Sequence, residues 1–166
     1  MTHKEAIEKY KEFRDKYYGK YIDYDGEYGH QCWDLAQEYF VNYLGVPAYV
    51  LGGCDLVSNM LYPPKIDELH EYFVDIPLDQ MDMGDVVIWE YGHIAVFDNW
   101  DGCSCWYFSQ NPNPCELMII NRGGAHAFRL KTNDPSPVDY KELYEKEVEK
   151  NNILQEKINK AIQDLS

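Results

Sequence analysis

The chain has 166 residues, 45% of them hydrophobic and 15% aromatic, which is enough for one domain with its own core plus an appendage. Fifteen basic against twenty-nine acidic residues leave a formal charge of −14, which repels phosphate backbones and anionic lipid, so nucleic acid and membrane surfaces are excluded as partners and cations are favoured. The apolar runs are too short for a membrane span, and Met1 to Ala6 lack the apolar region of a signal peptide, so a soluble product made in the cytoplasm is expected. Five cysteines (32, 54, 103, 105 and 115) form an odd set without secretory context, which argues against a disulfide framework.

In chain order, Ala6, Ile7, Tyr10, Phe13 and Tyr17 make one helical stripe over residues 2–18, stopped by Gly19. A turn rich in carboxylates and glycine, Asp23-Tyr24-Asp25-Gly26-Glu27-Tyr28-Gly29, then runs into a second apolar-periodic segment. That segment, 31–44, places Cys32, Leu35, Ala36, Tyr39, Phe40, Tyr43 and Leu44 on one face and ends at Gly45 and Pro47, which predicts a largely buried helix with Cys32 in its first turn. Residues 48–84 read as a long surface connection with a short helix near 54–61 and a break at Pro63-Pro64. From Asp85 onward the pattern is of short strands: 86–89, 93–97, 103–110, 116–120 and 126–130, separated by turns. Helices first and strands afterwards predict an α+β domain, N-terminal helices packed on one side of an antiparallel meander.

Residues 132–139 read as a linker, and 140–166 as a charged helix with Leu154, Ile158, Ala161 and Leu165 in steps of four and three. That stripe leaves two readings open, a solvated linker helix or a self-associating coil through which the chain oligomerises. Removing the segment from Asp134 leaves −11 on the first 133 residues, so the acidity belongs mainly to the domain at 1–131.

Cys32 is the best candidate nucleophile, because a thiol in a first helical turn faces unpaired backbone N–H groups that favour thiolate. His93 is its candidate partner: it opens a strand behind Tyr91-Gly92, and the glycine leaves room for another group to approach. A cysteine on a helix N-terminus and a histidine on a following sheet is the arrangement of papain-like thiol hydrolases. Such a ring needs a third group to orient it. Asn111 is the choice, with Pro112 expected to hold it extended, and by strand alternation Ser109 shares its face. The turn before Cys32 has, in Asp23-x-Asp25-Gly26, the oxygen spacing of the start of a calcium loop without the closing glutamate of an EF-hand. Asp34 can add a carboxylate from the helix, and Glu27 and Gly29 can add backbone carbonyls. Cys103, Cys105 and Cys115 lack the usual zinc spacing, and His70 and His126 read as structural or surface positions.

Four stretches together, Gly29-His30-Gln31-Cys32-Trp33-Asp34-Leu35-Ala36, Met83-Gly84-Asp85-Val86-Val87-Ile88-Trp89, Tyr91-Gly92-His93-Ile94-Ala95-Val96 and Ser109-Gln110-Asn111, resemble the CHAP (cysteine, histidine-dependent amidohydrolase/peptidase) family, particularly its phage endolysin domains. The resemblance runs over roughly residues 20–131, in order. It implies a papain-like α+β fold that cleaves amide bonds of bacterial peptidoglycan, as an N-acetylmuramoyl-L-alanine amidase or an endopeptidase, with Cys32 as nucleophile, His93 as base and Asn111 as orienting residue. It also implies calcium held by the side chains of Asp23, Asp25 and Asp34. One departure is Ser109, where several relatives carry glutamate, so that Asn111 alone or a carboxylate such as Asp98 must support the ring.

On this reading the chain acts on the wall after release through a partner holin, and a C-terminal wall-binding module is expected beyond Ser166. Two rivals stand beside it. One is a calcium-binding adhesion or regulatory module with a structural cysteine; the other is a host wall-remodelling hydrolase, which would need an export signal.

Overall fold

The computed structural model describes residues 1–53, 55–134 and 163. They include a compact unit, Met1–Thr132. The expected charged helix at 140–166 and most of the linker at 132–139 lie outside the described residues.

Helix α1, His3–Tyr17, starts where Thr2 and Glu5 cap each other reciprocally: the Thr2 hydroxyl accepts the Glu5 N–H (3.2 Å), and the Glu5 carboxylate accepts the Thr2 N–H (2.8 Å). Its buried residues Ala6, Tyr10 and Phe13 are spaced by four and three, the stripe read from the sequence. Helix α2, Cys32–Glu38, runs without a break into a wider π-helical turn, Tyr39–Leu44, closed by Gly45 at φ 69°. The predicted span is right, but its second half is not α-helical, and the adjacent Tyr39 and Phe40 are both buried.

The stretch read as a long surface connection holds more structure than expected. It contains a 3₁₀ turn, Val57–Leu61, then helix α3, Lys65–Tyr72, and strand β1, Phe73–Ile76. Both longer elements carry weak hydrophobic signals: α3 buries only Leu69 fully, and β1 is a short edge strand with Val74 and Asp75 exposed.

The remaining strands are β2 (Val86–Trp89), β3 (His93–Trp100), β4 (Cys105–Ser109), β5 (Glu116–Ile119) and β6 (Ala125–Leu130). All five pairings are antiparallel, and the order across the sheet is β1-β6-β2-β3-β4-β5. The predicted meander is therefore β2 to β5, while β6 folds back between β2 and β1. The protein is α+β, with helices against one sheet face, where Ile88, Ile94, Val96, Phe108 and Phe128 join Tyr10, Phe13, Leu35, Tyr39 and Phe40 in the main core. The opposite face, with Val87, Trp89, Phe97 and Tyr107, is covered by Ile76, Leu78, Met81 and Ile120 from neighbouring segments.

Two buried carboxylates pin this arrangement. Asp98 accepts bonds from the Tyr10 hydroxyl (2.7 Å) and Arg14 (2.8 Å), tying β3 to α1. Asp85 takes both Nε and an Nη of Arg129 (2.9 and 2.7 Å), tying the start of β2 to β6. Immediately before Asp85 lies Gly84 at φ 94°, where a Cβ would stand 3.1 Å from the Tyr39 hydroxyl and 3.3 Å from Tyr10, so backbone conformation and space both require glycine. No helix among the described residues is long and apolar enough to cross a membrane.

Candidate active site

The loop at 23–30 is shaped by its own carboxylates. Asp23 Oδ1 accepts the Gly26 N–H (2.8 Å), and Asp25 Oδ1 accepts the Glu27 N–H (2.8 Å). Left-handed backbone at Gly26, Tyr28 and Gly29 (φ 75°, 57° and 76°) bends it back on itself. The loop closes on α2 through Asp34, which is buried and accepts two backbone N–H groups, from Tyr24 (2.9 Å) and Gln31 (2.7 Å). The Asp34 N–H in turn donates to the Gln31 carbonyl (3.1 Å), so Gln31 and Asp34 cap the helix that begins at Cys32. Asp23, Asp25 and Asp34 thereby gather: one oxygen of each lies within 4.8 Å of the others. Asp23 and Asp25 are exposed and Asp34 is buried.

Those separations suit one hard cation. Two oxygens bound to a single calcium at about 2.4 Å can be no more than about 4.8 Å apart, so the three carboxylates already meet the geometric limit. Glu27 and Gly29 lie in the same loop, where their carbonyls belong to the sequence-expected set.

A cleft of about 650 Å³ opens beside this loop, and Cys32 lines it together with Asp25, Glu27, Gln31, Trp33, Asp34, Asp55, Val57, Gly92 and Asn111. Cys32 is only 7% exposed. Burial pushes its pKa above the ordinary 9.0, opposed by the backbone N–H groups of Ile94, Trp33 and Cys32 itself, while the Asp34 charge pushes further upward. The helix-terminus lowering expected from sequence is therefore outweighed by desolvation.

His93, at the start of β3, lies one residue from Ile94, whose N–H faces the sulfur. Burial holds His93 below its ordinary 6.5. Its Nε2 is hydrogen-bonded to Ser109 Oγ at 2.8 Å, across β3 and β4, and Ser109 is fully buried. The ring stacks parallel to exposed Tyr91 (interplanar angle 6°, centroids 6.3 Å apart), with Trp89 on the same strand pair 5.6 Å away.

The cleft brings Cys32 together with Asp25, Asp34 and Gly92, the residue before His93, while the His93 ring is not among its lining residues. The structure does not bring Asn111 onto the histidine: Asn111 lines the cleft and is exposed, and its backbone is left-handed (φ 79°) rather than extended. Asp98 lies five residues along β3 from His93 and is committed to Tyr10 and Arg14. The partner of the ring is Ser109. Sequence reasoning also missed Gln110, fully buried beside it, for which a lone polar residue at a strand end gives no signal.

The chain matches no family model and no solved structure. It is similar to a phage enzyme. The D-alanyl-L-alanine endopeptidase of Streptococcus phage B30 is 33% identical over 116 residues, which cover 61% of this chain and 24% of that protein. The chain therefore spans about a quarter of the length of this relative.

Proposed function

We propose that the chain is a phage-type peptidoglycan hydrolase of the CHAP class, with a papain-like arrangement in which Cys32 attacks a wall amide carbonyl. The observation that carries this reading is the cleft itself, where a nearly buried helix-terminal thiol shares the lining with an acidic loop and with Gly92, the residue before His93; similarity to a phage endopeptidase supports it.

With the thiol pushed up and the imidazole pushed down, the resting pair at neutral pH is thiol and neutral ring. When Nε2–H donates to Ser109 Oγ, Nδ1 is the basic nitrogen, which takes the thiol proton as sulfur bonds to the carbonyl carbon. The tetrahedral oxyanion is received by the backbone N–H groups of Cys32 and Trp33 at the start of α2, which face the sulfur. The imidazolium then protonates the departing amine, the C–N bond breaks, and water releases the acyl group from Cys32 with His93 again as base. Asp23, Asp25 and Asp34, with the Glu27 and Gly29 carbonyls, would hold calcium. Bound there, such an ion would neutralise three crowded carboxylates and hold the loop against the helix that starts at Cys32.

A lowered His93 pKa places the acid limb of kcat/KM below pH 6.5, because the base must be neutral. The same shift contributes stability that is full above pH 6.5 and lost as pH falls through the folded-state value. Ser109→Glu puts a carboxylate beside the ring, favours imidazolium and moves the acid limb to higher pH, while Ser109→Ala moves it little and lowers kcat by about 10- to 100-fold. A limb that stays in place in Ser109→Glu would separate His93 from the chemistry.

Mass spectrometry of digested Gram-positive walls tests the function. The name of the relative favours an endopeptidase cut, which leaves peptide attached to glycan and exposes new amino termini; an amidase cut instead releases peptides free of muramic acid. Walls that yield neither product overturn the proposal.

A further inference from the structure

Gln110 follows Ser109 at the end of β4 and is 0% exposed. Its amide is fully used. Oε1 accepts the Ile22 N–H (2.7 Å) and the Cys115 thiol (3.2 Å), while Nε2 donates to the Ile22 carbonyl (2.8 Å) and to the Gln31 carbonyl (2.8 Å). Both donors and both acceptor positions are satisfied, three of the four bonds reaching backbone more than seventy residues earlier in the chain.

Those backbone groups have a common meaning. Ile22 immediately precedes Asp23, and Gln31 immediately precedes Cys32, so one side-chain amide joins the two ends of the acidic loop. A short ladder leads up to it: the Gly19 N–H donates to the Cys115 carbonyl and the Cys115 N–H to the Lys20 carbonyl, each at 2.8 Å. The Gln110 amide then pairs with both polar groups of Ile22, as a further peptide unit would. Strand alternation sends the neighbouring side chain the other way, where Ser109 holds His93.

We infer that Gln110 is a positioning residue that clamps the neck of the 22–31 loop. It fixes Cys32 and the three aspartates against the same two-residue stretch, Ser109-Gln110, that fixes His93. The clamp is a property of the fold; its catalytic meaning rests on the function proposed above.

Gln110→Met keeps the volume and removes all four bonds, and hydrogen exchange read by mass spectrometry on the full chain in chelator tests it directly. Residues 22–32 should exchange at least about ten-fold faster than in the unsubstituted protein, with 3–17 and 86–97 unchanged. Terbium(III) luminescence titration should show at least about ten-fold weaker binding, and wall lysis should fall at limiting calcium and recover in excess. Gln110→Glu, which keeps the acceptor for Ile22 and loses both donors, carries the comparison if Gln110→Met does not fold. Unchanged exchange in 22–32, or equal acceleration throughout Met1–Thr132, overturns the clamp. Failure of the unsubstituted protein to bind terbium or lyse walls would instead refute the proposed function, with the exchange result still deciding the clamp.

Discussion

Cys32→Ser should leave the fold within about 1 kcal/mol of its original stability and lower wall hydrolysis by about 10⁴-fold or more. The small stability change follows from the site: the side chain is nearly buried, and the Ile94 N–H that faces the sulfur can face a hydroxyl oxygen equally well. On the proposed mechanism the large activity change follows from the chemistry, since a serine hydroxyl is a far weaker acid than a thiol and would need a stronger base than His93, which burial holds on the neutral side. Cys103→Ser, at an exposed turn position, is the control and should retain activity. Melting temperature and turbidity loss of Gram-positive walls, measured on the same preparations, check both halves. Retained lysis by Cys32→Ser would remove the thiol from the mechanism.

Asp34→Ala should cost more stability than any other change in the loop, about 2–4 kcal/mol, because it strands the Tyr24 and Gln31 N–H groups that Asp34 accepts and removes the cap of α2. Two effects compete. Losing one of three crowded carboxylates relieves repulsion when no cation is present, but Asp34 is the buried member and its charge is already engaged by two N–H dipoles, so the lost bonds win. If the three aspartates hold calcium as proposed, adding it should widen the difference. A ligand at a hundred times its dissociation constant stabilises the folded state by about 2.7 kcal/mol, and Asp34→Ala should show none of that gain. Thermal melts with chelator and with calcium separate the two contributions. A calcium-dependent rise in melting temperature that survives in Asp34→Ala would exclude it as a ligand.

Much of this site was legible because its signals are local. Asp23, Asp25 and Asp34 straddle a turn and one helical turn, so their convergence follows from short-range geometry, and Cys32 is placed by the same helix start. His93 was legible as the first residue of a strongly apolar strand beside a glycine. What escaped depends on tertiary pairing. Choosing Ser109 over Asn111 for the ring requires the β3–β4 register and the left-handed backbone of Asn111, which a turn context imposes against the extended bias of a residue before proline. The direction of the Cys32 shift depends on how deeply the core covers the helix end, which the position of a cysteine in a helix does not state. Helix α3 and β1 escaped for a different reason: Leu69 and Phe73 are their only fully buried positions, too few to set a period.

The place of β6 in the sheet bears on when the chain can complete its fold. Its partners are β1 and β2, and β1 has no other neighbour, so the sheet stays split until residues 125–130 are available. A nascent chain that has already exposed Cys32, His93 and Ser109 still lacks the strand that joins Asp85 to Arg129 and covers one edge of β2. Assembly of the unit is thereby delayed until nearly all of Met1–Thr132 has left the ribosome, and a translation product cut short before Ala125 would lack the strand that completes the sheet.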